Sequence, residues 1–321
     1  MTDISPDTPG RGRGGAPAQP PGPVPTGYVA AAPVAPPAGA TPIAVGAPVL
    51  DDPGNETDLR FLDQPGAAPT TKAQAWRWFF YTLVGFVVGQ LVAAVFGSAA
   101  GSLAGKTAAQ MKVITTANVP PEWYTIATLL GLWVGFVGAP WLASRWHGTR
   151  RFLTDLGVRF RVIDLVGIAI GIGAQLVIVL LYAPFRHDIH NFNGPSQKLT
   201  GSSHGAGIVV IILATSVAVP VVEELFFRGL LFKALVRLCA PIGGGATTAR
   251  GAAIVAAVVL DGLLFGLAHA EWVQLAGLAL FGMALAAIAY RTGRLGMNMV
   301  AHASFNTVAL VAVLSQRGGV H

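Results

Sequence analysis

Seven stretches of this chain stay apolar for about the 20 residues that carry a helix across a bilayer. They cover residues 78–103, 123–143, 162–183, 206–232, 251–268, 273–290 and 296–314. In hydrocarbon every backbone N–H and C=O must find its partner inside the protein, so such stretches fold as helices packed into a bundle. Charge agrees with this, at 11% of the 321 residues against about 25% in soluble domains. The expected fold is an all-α polytopic transmembrane helix bundle of about seven spans, with room for an eighth, behind a disordered N-terminal arm.

The arm is residues 1–75, which hold 15 of the 22 prolines, one Phe, one Tyr and no Trp. That is too little apolar mass to offset the entropy of ordering, and the arm also lacks the continuous apolar core of a secretory signal. Residues 76–205 are read as N-terminal transmembrane helices and residues 206–315 as a separate transmembrane core. Cys239 is the single cysteine, which excludes an intrachain disulfide and a cysteine metal site.

The net charge of +6 would suggest nucleic acid in a soluble protein. Here the basic residues flank spans, so membrane lipid is the expected partner and nucleic acid is not. Lys72, Arg77, Arg145, Arg150, Arg151, Arg159, Arg161, Lys233, Arg237, Arg250, Arg291 and Arg294 fall at one set of span ends. Lys106, Lys112, Arg186, Lys198 and Arg317 fall at the other. Twelve against five places the arm in the cytoplasm and the C-terminus outside. An Ala-, Gly- and Arg-rich composition with five lysines points to a bacterial plasma membrane.

Ionisable groups at bilayer depth cost at least ~2.5–3.5 kcal/mol each on insertion scales, and they mark sites. Three fall within "PVVEELFFRGLLF". Glu224 and Arg228 are i, i+4 neighbours, acid before base, and can neutralise each other. Glu223 lies about 100° away around the helix and needs another partner. "LLFGLAHAE" ends the fifth stretch on His269, with Phe265 one turn before it. "GMNMVAHASFNTVAL" sets His302 and Asn306 one turn apart on one face. One free carboxylate, two imidazoles and an amide on three helices make a hydrolytic set: a base for water, a proton shuttle, and donors for an oxyanion.

Glu-Glu-x-x-x-Arg, Phe-x-x-x-His and His-x-x-x-Asn, in this order, resemble the motifs of the CPBP family, the CAAX-protease and bacteriocin-processing (Abi) intramembrane endopeptidases. The resemblance runs over about residues 206–314. It implies that Glu223 activates water with help from His269, that His302 and Asn306 hold the oxyanion, and that Glu224 and Arg228 keep the helix in register. The implied substrate is a peptide or membrane protein cut at or within the membrane.

No cofactor is required by that mechanism. The same residues also permit a zinc ion on Glu223, His269 and His302, three ligands with an open position for water. A non-catalytic scaffold binding partner transmembrane helices is the competing function, and a proton-coupled transporter a third.

Depth raises a difficulty. At ~1.5 Å per residue, Glu223 lies about 25 Å inside the outer end of its stretch, whereas His269 ends the next one. For the two to meet, the fourth helix must run later, over about 216–238, with the fifth continuing past His269, or one of them must break at the cavity; Pro220 and the Gly243-Gly244-Gly245 loop leave room for such a shift. Of the remaining polar residues, Asp261 is placed to line the cavity or to orient an imidazole, Asp164 to cap its helix, and Gln90 and Gln175 to bond between helices.

Overall fold

The computed structural model describes residues 69–185, 206–240 and 247–318. Among the described residues there are nine helices and no strands. They are α1 (Lys72–Leu103), α2 (Ala108–Thr116), α3 (Glu122–His147), α4 (Phe152–Leu156), α5 (Val166–Tyr182), α6 (Gly207–Cys239), α7 (Thr247–Ala268), α8 (Leu275–Thr292) and α9 (Gly296–Gly318). All but α2 and α4 are long and apolar enough to cross a membrane, α5 together with the short turns flanking it. The chain is an integral membrane protein. The arm expected before the first helix lies outside the described residues up to 68, as do residues 186–205 and 241–246.

Helix ends differ from the apolar stretches for local reasons. α1 starts at Lys72 because Thr71 and Gln74 form a capping box: the Thr71 hydroxyl accepts from Gln74 N–H at 3.2 Å and the Gln74 side chain accepts from Thr71 N–H at 3.3 Å. α8 ends at Thr292 because Gly293 turns left-handed at φ 66°. α6 runs on to Cys239, past the expected Phe232, because Lys233 is not a loop residue. It is buried, and its ammonium donates to Asp155 C=O at 2.5 Å.

The basic ends of the spans meet at one end of the bundle. There Lys72 Nζ donates to Leu238 C=O, Arg237 Nε to Pro69 C=O, and Trp78 Nε1 to His147 C=O. Asp164 accepts the Arg161 N–H, as a capping carboxylate should, and also pairs with Arg294 at 2.6 Å. Further from that end, Gly277 N–H at the start of α8 donates to the Tyr182 hydroxyl at the end of α5.

Small residues let the helices approach closely. A Cβ on Gly135 would meet backbone atoms of Gly85 and Gly89 on α1, and one on Gly171 would meet the Ala301 carbonyl and Phe305 N–H on α9. Such contacts replace the hydrophobic driving force that lipid cannot supply. Gly135→Leu is therefore expected to separate α1 from α3, with an overpacking cost of about 1–3 kcal/mol. Detergent-solubilised protein should show a lower melting temperature, and an unchanged one would refute this packing.

α6 is the central helix. Every residue from Glu224 to Val236 is buried, which explains a stretch with no polar face, whereas Val209, Val210, Leu213 and Val217 in its first half are exposed. Phe226 stacks on Phe136 of α3 at 4.1 Å between ring centres and ties the first spans to this helix. Among the described residues the expected glutamine bonds do not form. Gln90 is exposed on α1, and Gln175 Oε1 is buried without a partner.

Candidate active site

The acids of α6 sit on a short α-helical segment, Val219–Glu224, between two π-helical stretches, Ala214–Ala218 and Leu225–Phe232. Pro220 accounts for the first. Its ring crowds the carbonyl four residues back and it donates no hydrogen bond, so the preceding turn widens. α6 thus stays helical from Gly207 to Cys239, without the break offered above.

Glu223 and Glu224 point apart, as their positions on the helix require. Glu224 is fully buried, and its Oε1 accepts from Arg228 Nη1 at 3.0 Å and from His302 Nδ1 at 2.8 Å. Asn298 Nδ2 reaches its other oxygen at 3.3 Å while donating to Leu285 C=O at 2.7 Å. Glu223, 14% exposed at its side chain, faces the cavity. Its Oε2 lies 3.6 Å from His302 Nε2 and 3.9 Å from His269 Nε2, and it has no hydrogen-bond partner. The two adjacent acids bracket one imidazole, Glu224 at its Nδ1 and Glu223 at its Nε2.

The tautomers follow from the partners. A carbonyl only accepts, so His269 Nδ1, 2.8 Å from Phe265 C=O, carries a hydrogen and leaves Nε2 towards Glu223. His302 Nδ1 likewise donates to the Glu224 carboxylate. Phe265 is fully buried and fixes the neighbourhood, with its ring centre 4.6 Å from that of His269 and 5.6 Å from that of His302. The Arg228 guanidinium lies 4.4 Å over the same ring.

Asn306 reaches across to the first π-helical stretch, where its Nδ2 donates to Thr215 C=O at 3.0 Å. An amide carries two hydrogens, so one N–H is left for the cavity. Asp261 does not orient an imidazole. It lies against Arg228 Nε at 3.3 Å, within ion-pair reach but without hydrogen-bond alignment. Arg228 completes its set by donating to Gly282 C=O at 3.0 Å.

The depth difficulty resolves at the turn between α7 and α8. α7 stops at Ala268 instead of continuing past His269, and the turn itself lies level with the middle of α6. Glu223 is roughly 24 Å from either end of α6 at about 1.5 Å per residue. The four residues expected to act together line one cavity of about 240 Å³. Its other walls include Leu129, Thr215, Val219, Leu278, Phe281 and Phe305, with Glu271 and Gln274 from the turn.

Sequence reasoning missed Asn298 as a site residue, although it lies one turn before His302 on the same face. It also gave Glu224 only an intrahelical role. For a metal, tetrahedral donors at about 2.0–2.2 Å from zinc sit about 3.3–3.6 Å apart. Glu223 Oε2 and His302 Nε2, 3.6 Å apart, meet that spacing, whereas Glu223 Oε2 and His269 Nε2, at 3.9 Å, are wider than it.

Residues 205–308 match the family model described as type II CAAX prenyl endopeptidase Rce1-like. The chain carries an Rce1-like domain of the CPBP family. The Rce1-like family are CAAX prenyl endopeptidases, and hence hydrolases. No curated protein and no solved structure matches the chain. Glu223, Glu224, Arg228, Phe265, His269, Asn298, His302 and Asn306 all fall inside the Rce1-like domain, whereas α1, α3 and α5 precede it.

Proposed function

We propose that the chain is an intramembrane endopeptidase in which Glu223 activates water against the carbonyl of a peptide bond. The observation that carries this reading is the orphaned Glu223 Oε2, facing two imidazole Nε2 atoms in a cavity. A water on Glu223 gives it a proton as the water oxygen bonds to the carbonyl carbon. The proton then passes, with His269 as relay, to the nitrogen that leaves when the C–N bond breaks. His302 and the free N–H of Asn306 donate to the oxyanion formed in between. In that role His302 donates through both ring nitrogens, Nδ1–H to Glu224 and Nε2–H to the oxyanion.

The basic end of the bundle lies in the cytoplasm in this reading. Of the twelve basic residues expected at that end, Lys233 is buried and Arg294 pairs with Asp164, which leaves ten, against Lys106, Lys112 and Arg317 among the described residues at the other end. The composition supports a bacterial plasma membrane.

Purified protein assayed on internally quenched peptides tests the mechanism. Asn306→Ala is expected to lower kcat by ~10²–10³ with little change in KM, and the parent should keep its activity after dialysis against a chelator. Chelator-silenced activity restored by zinc would replace this mechanism with a metal-dependent one. An unaffected Asn306→Ala would remove Asn306 from it. A protein with no proteolysis on any peptide would favour a scaffold.

A further inference from the structure

We propose that the cavity opens on the non-cytoplasmic side, so that the substrates are extracytoplasmic segments of exported or membrane proteins. The proposal rests on the peptidase reading and adds the compartment from which the peptide enters.

The argument is one of register along the helices. Starting from Glu223, the cavity wall on α6 continues through Val219 and Thr215, towards the N-terminal end of that helix and away from the basic end. Starting from His302, it continues on α9 through Ala309 and Leu310, again away from the basic end. The remaining side of the mouth is the α7–α8 turn, where Glu271 and Gln274 stand at the rim.

No residue on the basic side of Glu223 in α6 lines the cavity. That half of the helix is buried throughout from Glu224 to Val236. Arg228, held by Glu224 and Gly282 C=O, closes the floor directly beneath the site, and Phe232 and Lys233 are buried below it. A peptide arriving from the basic side would have to displace buried charges whose partners are already made. One arriving from the other side meets apolar walls and the two polar rim residues.

The basic residues decide which compartment this is. Because the positive end of a bundle stays in the cytoplasm, a mouth at the opposite end faces outwards. The inset α7–α8 turn has a consequence for the substrate as well. The scissile bond must reach the middle of α6, so the segment cut is one that enters the membrane from outside in extended form, beside apolar walls.

Cysteine accessibility in spheroplasts tests the proposal on the full chain. In a Cys239→Ala background, single cysteines replace Trp272 on the turn, Lys106 at the same end of the bundle, and Arg151 at the basic end; all three positions are exposed. The probe is a charged, membrane-impermeant maleimide. Labelling of Trp272→Cys and Lys106→Cys in intact spheroplasts, with Arg151→Cys labelled only after permeabilisation, is the expected result. The reverse pattern, or labelling of Trp272→Cys and Lys106→Cys only after permeabilisation, puts the mouth in the cytoplasm and overturns the proposal. The labelling reads orientation alone. If the expected pattern were found with a protein that cleaves nothing, the peptidase reading would fail and the outward opening would stand.

Discussion

Glu223→Gln is expected to abolish peptide cleavage while leaving the fold intact. The amide cannot take a proton from water, and loss of a positioned general base costs typically 10²–10⁴ in rate. Stability should be almost untouched, because Glu223 is not part of the buried network. Its Oε2 has no hydrogen-bond partner, and its nearest polar neighbours, the Nε2 atoms of His302 and His269, stand at 3.6 and 3.9 Å. The amide also fills the same volume. Two measurements on one preparation check this: turnover of a quenched peptide and the melting temperature in detergent. Retained turnover would remove Glu223 from the mechanism. A collapse in melting temperature would mean that the residue is structural and that activity was lost for that reason.

The contrast between Glu223 and Glu224 was legible before any coordinates, and the reason is geometric. Two neighbours on a helix point about 100° apart, so the acid that pairs with Arg228 cannot also face the cavity. The spans were legible because lipid imposes one kind of segment. Contacts between helices were not, because spacing within a helix says which residues share a face and nothing about what that face meets. Asp261 illustrates this. Its place two turns before His269 suggested an imidazole, but α7 turns it towards Arg228. Lys233 looked like a flanking base because lysine seldom sits inside hydrocarbon, yet the Asp155 carbonyl holds it within α6. The inset turn after Ala268 was the hardest feature to read, since hydropathy marks where a helix stops and not how deep that stop lies.

The last expected result follows from Glu224 having partners on two helices, Arg228 on its own and Asn298 and His302 on α9. Glu224→Gln leaves Arg228 buried beside Asp261 without its best-aligned carboxylate, and breaking a buried pair by removing one partner costs about 3–5 kcal/mol. Yield and melting temperature should therefore fall, unlike those of Glu223→Gln. Activity per folded molecule should fall too. The His302 Nδ1–H would face an amide that can offer its nitrogen as readily as its oxygen, so the ring is no longer held with Nε2 towards Glu223. Because that loss acts on the oxyanion and not on peptide binding, it should appear in kcat with KM near the parent's value. Arg228→Met separates the two consequences: it removes the ion pair but leaves the Glu224–His302 bond, so it should lose stability and keep more of its kcat than Glu224→Gln. Equal kcat in the two variants would show that Glu224 acts on the fold alone, and full stability in Glu224→Gln would show that the ion pair holds nothing.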